Sequence, residues 1–220
     1  AEPILVHEPK VTSADVDRRV GELLEQVGLP PARARSYPHQ LSGGQRQRIM
    51  IAMALACRPR LIVADEPTTA LDVMVQAQVL KVLTDLVDEL DLTLVLISHD
   101  LSVLADVCHR AAVMYAGQVV EAGPAATVFE GSAHPYSRAL AGAFPRIGDA
   151  SFRYAPSGLP GDPPFPGDVG DGCAFAPRCP VVHDDCTSGA LPLVEVAPGR
   201  HSACRYPIVP VGTDPERGTP

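Results

Sequence analysis

With 220 residues the chain is long enough for one ordinary domain and an appendage, and 46% apolar residues suffice to build a core. The formal net charge is −8, with only two lysines, Lys10 and Lys81, a balance that argues against a general nucleic-acid binder. No apolar run is long enough to cross a bilayer, and Glu2, His7 and Glu8 interrupt a start without a basic opening or an apolar stretch, so no signal peptide is expected.

The chain opens without a Met, which reads as processing or as a piece of a longer polypeptide, and nothing points to export. The six cysteines are therefore expected as thiols of a reducing compartment. Residues 13–28 place Val16, Val20, Leu23, Leu24 and Val27 on one helical face, with Ser13 as the cap and Gly28 and Pro30 as the stop. A second helix is expected over 43–57, ahead of Pro59. Residues 61–64 read as a short, fully apolar buried strand, and 72–90 as an amphipathic helix with Val75, Val79, Val82, Leu86 and Leu90 on its stripe. A second buried strand over 93–98, a helix over 101–107 and a strand over 111–115 follow. Tyr115-Ala116-Gly117-Gln118 reads as a hairpin turn into a strand over 118–122. Strands alternating with helices predict an α/β fold with a largely parallel sheet. Near residue 145 Pro and Gly begin to crowd the chain, as in 160–167, which suits neither a helix nor a central strand. A domain boundary is placed there, giving 1–145 and 146–220, and no internal repeat is found.

Three short strings carry chemistry. In Leu61-Ile62-Val63-Ala64-Asp65-Glu66-Pro67 an apolar strand delivers two adjacent carboxylates at its C-terminal edge, where open α/β sheets bind ligands. Neighbouring residues point apart, so one acid can hold Mg²⁺ while the other orients and polarises a water. Alone, the dipeptide is equally well a solvated acidic turn. In Leu41-Ser42-Gly43-Gly44-Gln45-Arg46-Gln47-Arg48 a serine and two glycines head a helix, where bare N–H groups and the positive helix end can grip an anion. The glycines would allow a phosphate to approach closely, although Ser-Gly-Gly alone is more often a plain capped helix start. In Ile97-Ser98-His99-Asp100 the histidine follows a strand and can donate to a phosphate or pair with a carboxylate; a lone His there is usually a surface residue.

Together with Ala70-Leu71-Asp72, these strings stand in the order and approximate spacing of the ABC ATPases, and residues 1 to about 145 resemble that family closely. The resemblance implies an incomplete ABC nucleotide-binding domain: the helical subdomain with its signature, plus part of the parallel core sheet. It makes 41–48 the signature, Asp65 the magnesium-side acid of Walker B, Glu66 the catalytic base, Asp72 part of the D-loop and His99 the switch histidine. It implies ATP and Mg²⁺ as ligands and a second ABC ATPase domain, in a homo- or heterodimer, as partner. Ser42, Gly43, Gly44 and Gln45 would then serve a nucleotide on the partner, and Glu66 and His99 one bound in cis. Closure of such a pair would drive a transporter.

The Gly-Lys-Ser or Gly-Lys-Thr of a Walker A loop does not occur in the sequence, and no Q-loop is identifiable. The chain by itself is therefore expected neither to bind ATP tightly nor to hydrolyse it.

The segment Glu121-Ala122-Gly123-Pro124, a short helix to Phe129 and His134-Pro135-Tyr136-Ser137-Arg138-Ala139-Leu140 resemble the C-terminal extension of oligopeptide, dipeptide and nickel importer ATPases. That implies membrane permease subunits as partners, a peptide-binding protein indirectly, no nucleic acid, and a peripheral place on the cytoplasmic face of the membrane. Cys173, Cys179, Cys186 and Cys204 are spaced C-x₅-C-x₆-C-x₁₇-C in a segment with little core of its own. Zinc commonly uses tighter pairs, whereas iron–sulfur clusters take four thiolates at wider spacing. The resemblance, some of whose members carry a 4Fe–4S cluster at this extension, places the cluster ahead of Zn²⁺, with free thiols or disulfides third. Cys57 and Cys108 are expected as core or surface thiols, and His183 and His201 as bystanders. Two other readings are a soluble ABC protein without a permease and a non-catalytic remnant serving as a cysteine-cluster interaction module.

Overall fold

The computed structural model describes residues 1–143, 159, 161–165, 167 and 169–208. Its contacts fall into two units, Ala1–His99 and Asp100–Pro220. The compositional change near residue 145 and this division lie at different places, and the first part of the extension, 146–158, is outside the described residues.

The first unit runs α1 (Glu2–His7), α2 (Ser13–Gln26), α3 (Gly43–Leu55), β1 (Leu61–Asp65), α4 (Val73–Leu90) and β2 (Thr93–Ile97). The cap of α2 is Thr12 rather than Ser13: the Asp15 N–H donates to Thr12 Oγ1 at 3.2 Å. Gly28, at φ +70°, closes that segment. β1 and β2 are parallel neighbours joined through α4, in a register that sets Asp65 beside Ile97. One core gathers Leu24 and Val27, Ile51 and Leu55 of α3, Ile62 of β1 and Val79, Leu83 and Leu86 of α4. Each large side chain buried there contributes about 1.5–3 kcal/mol.

The expectation that both strands are buried is corrected by one open face. Val63 is 60% and Ile97 48% exposed, and Leu61 and Val95 share that open face. Parallel strands take helices on both faces; among the described residues only the face of Ile62 is packed, against α3 and α4.

The second unit runs α5 (Leu101–Val107), β3 (Arg110–Tyr115), β4 (Gln118–Pro124), α6 (Ala125–Glu130), α7 (Pro135–Ala143), β5 (Val194–Ala197) and β6 (Arg200–Ser202). Ala116 and Gly117, both at positive φ (+48° and +79°), make the two-residue hairpin turn between β3 and β4. The parallel part of the expected α/β sheet is the β1–β2 pair, and the second unit adds a separate sheet of four strands in the order β3-β4-β6-β5, antiparallel throughout. Residues of the extension thus complete a sheet begun by the hairpin, with Glu121 opposite Ser202. Phe175 packs into the same core, 5.4 Å from the rings of both Tyr115 and Tyr136. Among the described residues no helix is long and apolar enough to cross a membrane.

Candidate functional site

The ladder of β1 and β2 ends by delivering two polar side chains to the same edge. The Glu66 N–H donates to Ile97 O at 2.9 Å, so the pairing extends one residue past the end of β1. Glu66 then turns sharply, at φ +47°, into a bend whose Thr69 and Leu71 N–H groups donate to Glu66 O and Thr68 O. Positive φ at a non-glycine residue costs free energy and gathers at functional turns; Ala70, at φ +62°, repeats it four residues on.

Both carboxylate oxygens of Glu66 are engaged. Oε1 accepts the backbone N–H of His99 at 3.2 Å and lies 2.8 Å from His99 Nδ1, while Oε2 accepts the Thr69 hydroxyl at 2.8 Å. A carboxylate oxygen only accepts, so Nδ1 carries the proton. The His99 hydrogen bond, followed by that of Thr69, holds the Glu66 carboxyl below its ordinary range. His99 is 80% exposed and Glu66 35%. Here, then, is an ionised, accessible acid whose orientation is set by an imidazole two residues past the end of β2.

The other expected residues are distributed around this edge. Asp65 is exposed at the end of β1. Asp72 caps α4, its Oδ1 accepting the Val75 N–H at 2.9 Å, so that carboxylate has a structural task. Ser42 and Gln45 form a reciprocal capping box at the head of α3: Ser42 Oγ accepts the Gln45 N–H and Gln45 Oε1 accepts the Ser42 N–H. The glycines prove to serve packing. Gly44 is buried, and a side chain there would collide with Val75; one at Gly43 would stand 3.1 Å from Leu71 Cδ2. The head of α3 therefore rests directly on the segment that follows the Glu66 turn. Sequence reasoning missed Thr69; its place three residues after an acid, in a turn, was the available signal.

A second polar cluster lies in the second unit. Cys173, Cys179, Cys186 and Cys204 all line one pocket, together with His134 and Phe175. The thiols of Cys173, Cys179 and Cys204 are pushed up, first by burial and further by neighbouring cysteines of the set. Four convergent thiols suit a sulfur-ligated metal group in donor chemistry. As they stand, however, no three His, Cys, Asp or Glu side chains among the described residues form a metal-holding set. Cys57 is exposed and Cys108 half-buried; His183 stacks on Tyr206 at 4.0 Å and His201 lies in β6.

Residues 2–69 match the family described as ABC transporter, and residues 120–186 match the oligopeptide/dipeptide transporter C-terminal region. The chain is 47% identical over 213 residues to the dipeptide transport ATP-binding protein DppD of Escherichia coli, covering 96% of this chain and 64% of DppD. It is 46% identical over 209 residues to the oligopeptide transport ATP-binding protein OppD of the same organism, covering 94% of this chain and 61% of OppD. The chain thus spans a little under two thirds of the length of these curated relatives. Among solved structures, cbiO1 from Clostridium perfringens, part of the ABC transporter complex cbiONQ, aligns with a TM-score of 0.51 at 30% identity, over 57% of this chain and 50% of that one.

Proposed function

Because the chain belongs to the ABC transporter ATP-binding family and carries the C-terminal region of its oligopeptide/dipeptide members, we propose that it is the energy-coupling part of a peptide importer, working on MgATP. The observation that carries this reading is the Glu66–His99 pair at the C-terminal edge of two parallel strands.

In this reading Glu66 is the base that orients and polarises the attacking water, and His99 holds it in place and donates towards the transferred phosphoryl group. Asp65 takes the Mg²⁺ side. Ser42, Gly43, Gly44 and Gln45 face a nucleotide carried by a second ABC domain, and Asp72 fixes the α4 end on which that helix tip rests. The phosphate-cradling lysine loop comes from residues other than these 220, so this chain alone turns over no ATP. Permease subunits anchor the assembly peripherally at the cytoplasmic face of the membrane.

Phosphate release from MgATP tests this. The 220-residue chain alone is expected to release none. A polypeptide that also includes a Gly-Lys-Ser or Gly-Lys-Thr loop encoded upstream is expected to hydrolyse ATP, and its E66Q variant to bind ATP but turn over about 10²–10⁴-fold more slowly. Turnover by the short chain, or an E66Q variant as fast as its parent, would sink the proposal.

The four-cysteine pocket supports a second reading for the second unit. In this reading the four thiols that line that pocket ligate a 4Fe–4S cluster, with Zn²⁺ as the alternative. Such a group would supply a cross-link or a redox sensor in a segment whose own core is small. Anaerobic reconstitution followed by iron, sulfide and zinc analysis decides between the two.

A further inference from the structure

His134 is 1% exposed, and its two ring nitrogens are treated differently. Nδ1 accepts the Tyr136 N–H at 3.1 Å, whereas Nε2 has no hydrogen-bond partner among the described residues. An accepting Nδ1 places the proton of the neutral ring on Nε2. Its position is firmly set: the His134 backbone N–H donates to buried Glu121 Oε2 at 2.8 Å, and the ring centre lies 6.2 Å from that of Phe175.

A buried N–H without an acceptor costs about 1–3 kcal/mol, and each such orphan in a native structure calls for a physical explanation, a bound partner among them. Among the described residues two other buried side-chain atoms share this condition, the hydroxyls of Ser137 and Ser202, but neither residue lines the cysteine pocket. His134 does, beside Cys173, Cys179, Cys186 and Cys204. The pocket therefore combines four potential thiolates with one N–H donor.

We infer that His134 Nε2–H donates a hydrogen bond to a sulfur of an iron–sulfur group held by the four cysteines, which makes His134 a positioning residue that raises the reduction potential of that group. The inference rests on the cluster reading proposed above. A hydrogen bond to sulfur favours the reduced, more negative state, so its loss lowers the potential.

The test uses the full chain reconstituted anaerobically with ferrous iron and sulfide, titrated with dithionite. His134→Asn keeps an acceptor for the Tyr136 N–H but is too short to reach the pocket, while His134→Gln restores a donor near the Nε2 position. Expected for H134N is unchanged iron and sulfide content, with the ratio of reduced to oxidised cluster at a fixed potential falling about tenfold, equivalent to about 59 mV for a one-electron couple. H134Q is expected to recover most of that loss. A purely structural role at Tyr136 predicts the reverse ranking and would overturn the inference, as would equal potentials in all three chains. Should the variants not fold, ¹⁵N-histidine hyperfine coupling to the reduced cluster of the unsubstituted chain replaces them: its presence supports the donor role and its absence overturns it. Wild-type chain that binds iron and sulfide but shows neither effect disproves the role of His134 alone. Uptake of zinc instead, or of nothing, disproves the cluster reading and the role of His134 together.

Discussion

Val75 occupies the space that a side chain at Gly44 would need, which locks the head of α3 onto the first turn of α4. The head of α3, proposed to address a nucleotide, and the segment that follows the Glu66 turn are thereby one packed piece. The glycine is required by this packing before any phosphate is considered.

Gly44→Ala forces a methyl group into Val75 and is expected to destabilise the chain by about 1–3 kcal/mol. Val75→Ala in the same chain should recover much of that loss, giving a coupling of at least about 1 kcal/mol in a double-mutant cycle read by urea unfolding. Additive effects would refute the contact.

The Glu66 carboxyl is held low first by its hydrogen bond to His99. His99→Ala should therefore move the Glu66 titration upwards, as followed by carbon-13 NMR of the carboxyl. The sign for stability follows from the direction: a depressed carboxyl pKa stabilises the fold above its unfolded value and loses that contribution only as pH falls through the folded one. The wild-type advantage over H99A should accordingly be present at neutral pH and vanish in acid. A Glu66 titration unmoved by the substitution would refute the pairing.

Glu121 is fully buried and accepts from Arg200 at 2.8 Å and from the Ala133 and His134 N–H groups. Arg200→Met strands that charge and is expected to cost about 3–5 kcal/mol, whereas E121Q/R200M should recover a large part of it. Thermal unfolding distinguishes the two. The same substitution removes the bond from Arg200 to Gly131 O, so some loss should persist in the double variant.

Ala116 pays for a left-handed backbone beside Gly117 in the β3–β4 turn. Ala116→Asn creates the favoured Asn-Gly pair for this geometry and is expected to stabilise by about 0.5 kcal/mol, raising the urea midpoint without changing its slope.

Much of the site was legible because its chemistry is local. An apolar run ending in Asp65-Glu66 and another ending in Ser98-His99 announce a strand edge with acid and imidazole, and the helix positions followed from the periodicity of α2 and α4. What was hidden depends on distant partners. The contact of Glu66 with His99 requires the register of β1 on β2 across 33 residues. The bare face of Val63 and Val95 could not be seen either, since an apolar strand reads the same whether one face or both are covered. Glu121 gave no sign of burial, because a glutamate in a strand ordinarily faces water. The Pro- and Gly-rich composition concealed β5 and β6, which are four and three residues long and too short to show a period.

The placement of β6 beside β4 has a consequence for how the polypeptide emerges from the ribosome. Glu121 and its cation are 79 residues apart. At ordinary synthesis speeds the carboxylate waits about 4–16 s for Arg200 to appear. Throughout that interval the hairpin lacks its third strand and carries an uncompensated charge, so a chain stalled or cleaved before residue 200 holds a half-built sheet with an open edge, ready for quality-control proteases or for pairing with a neighbour.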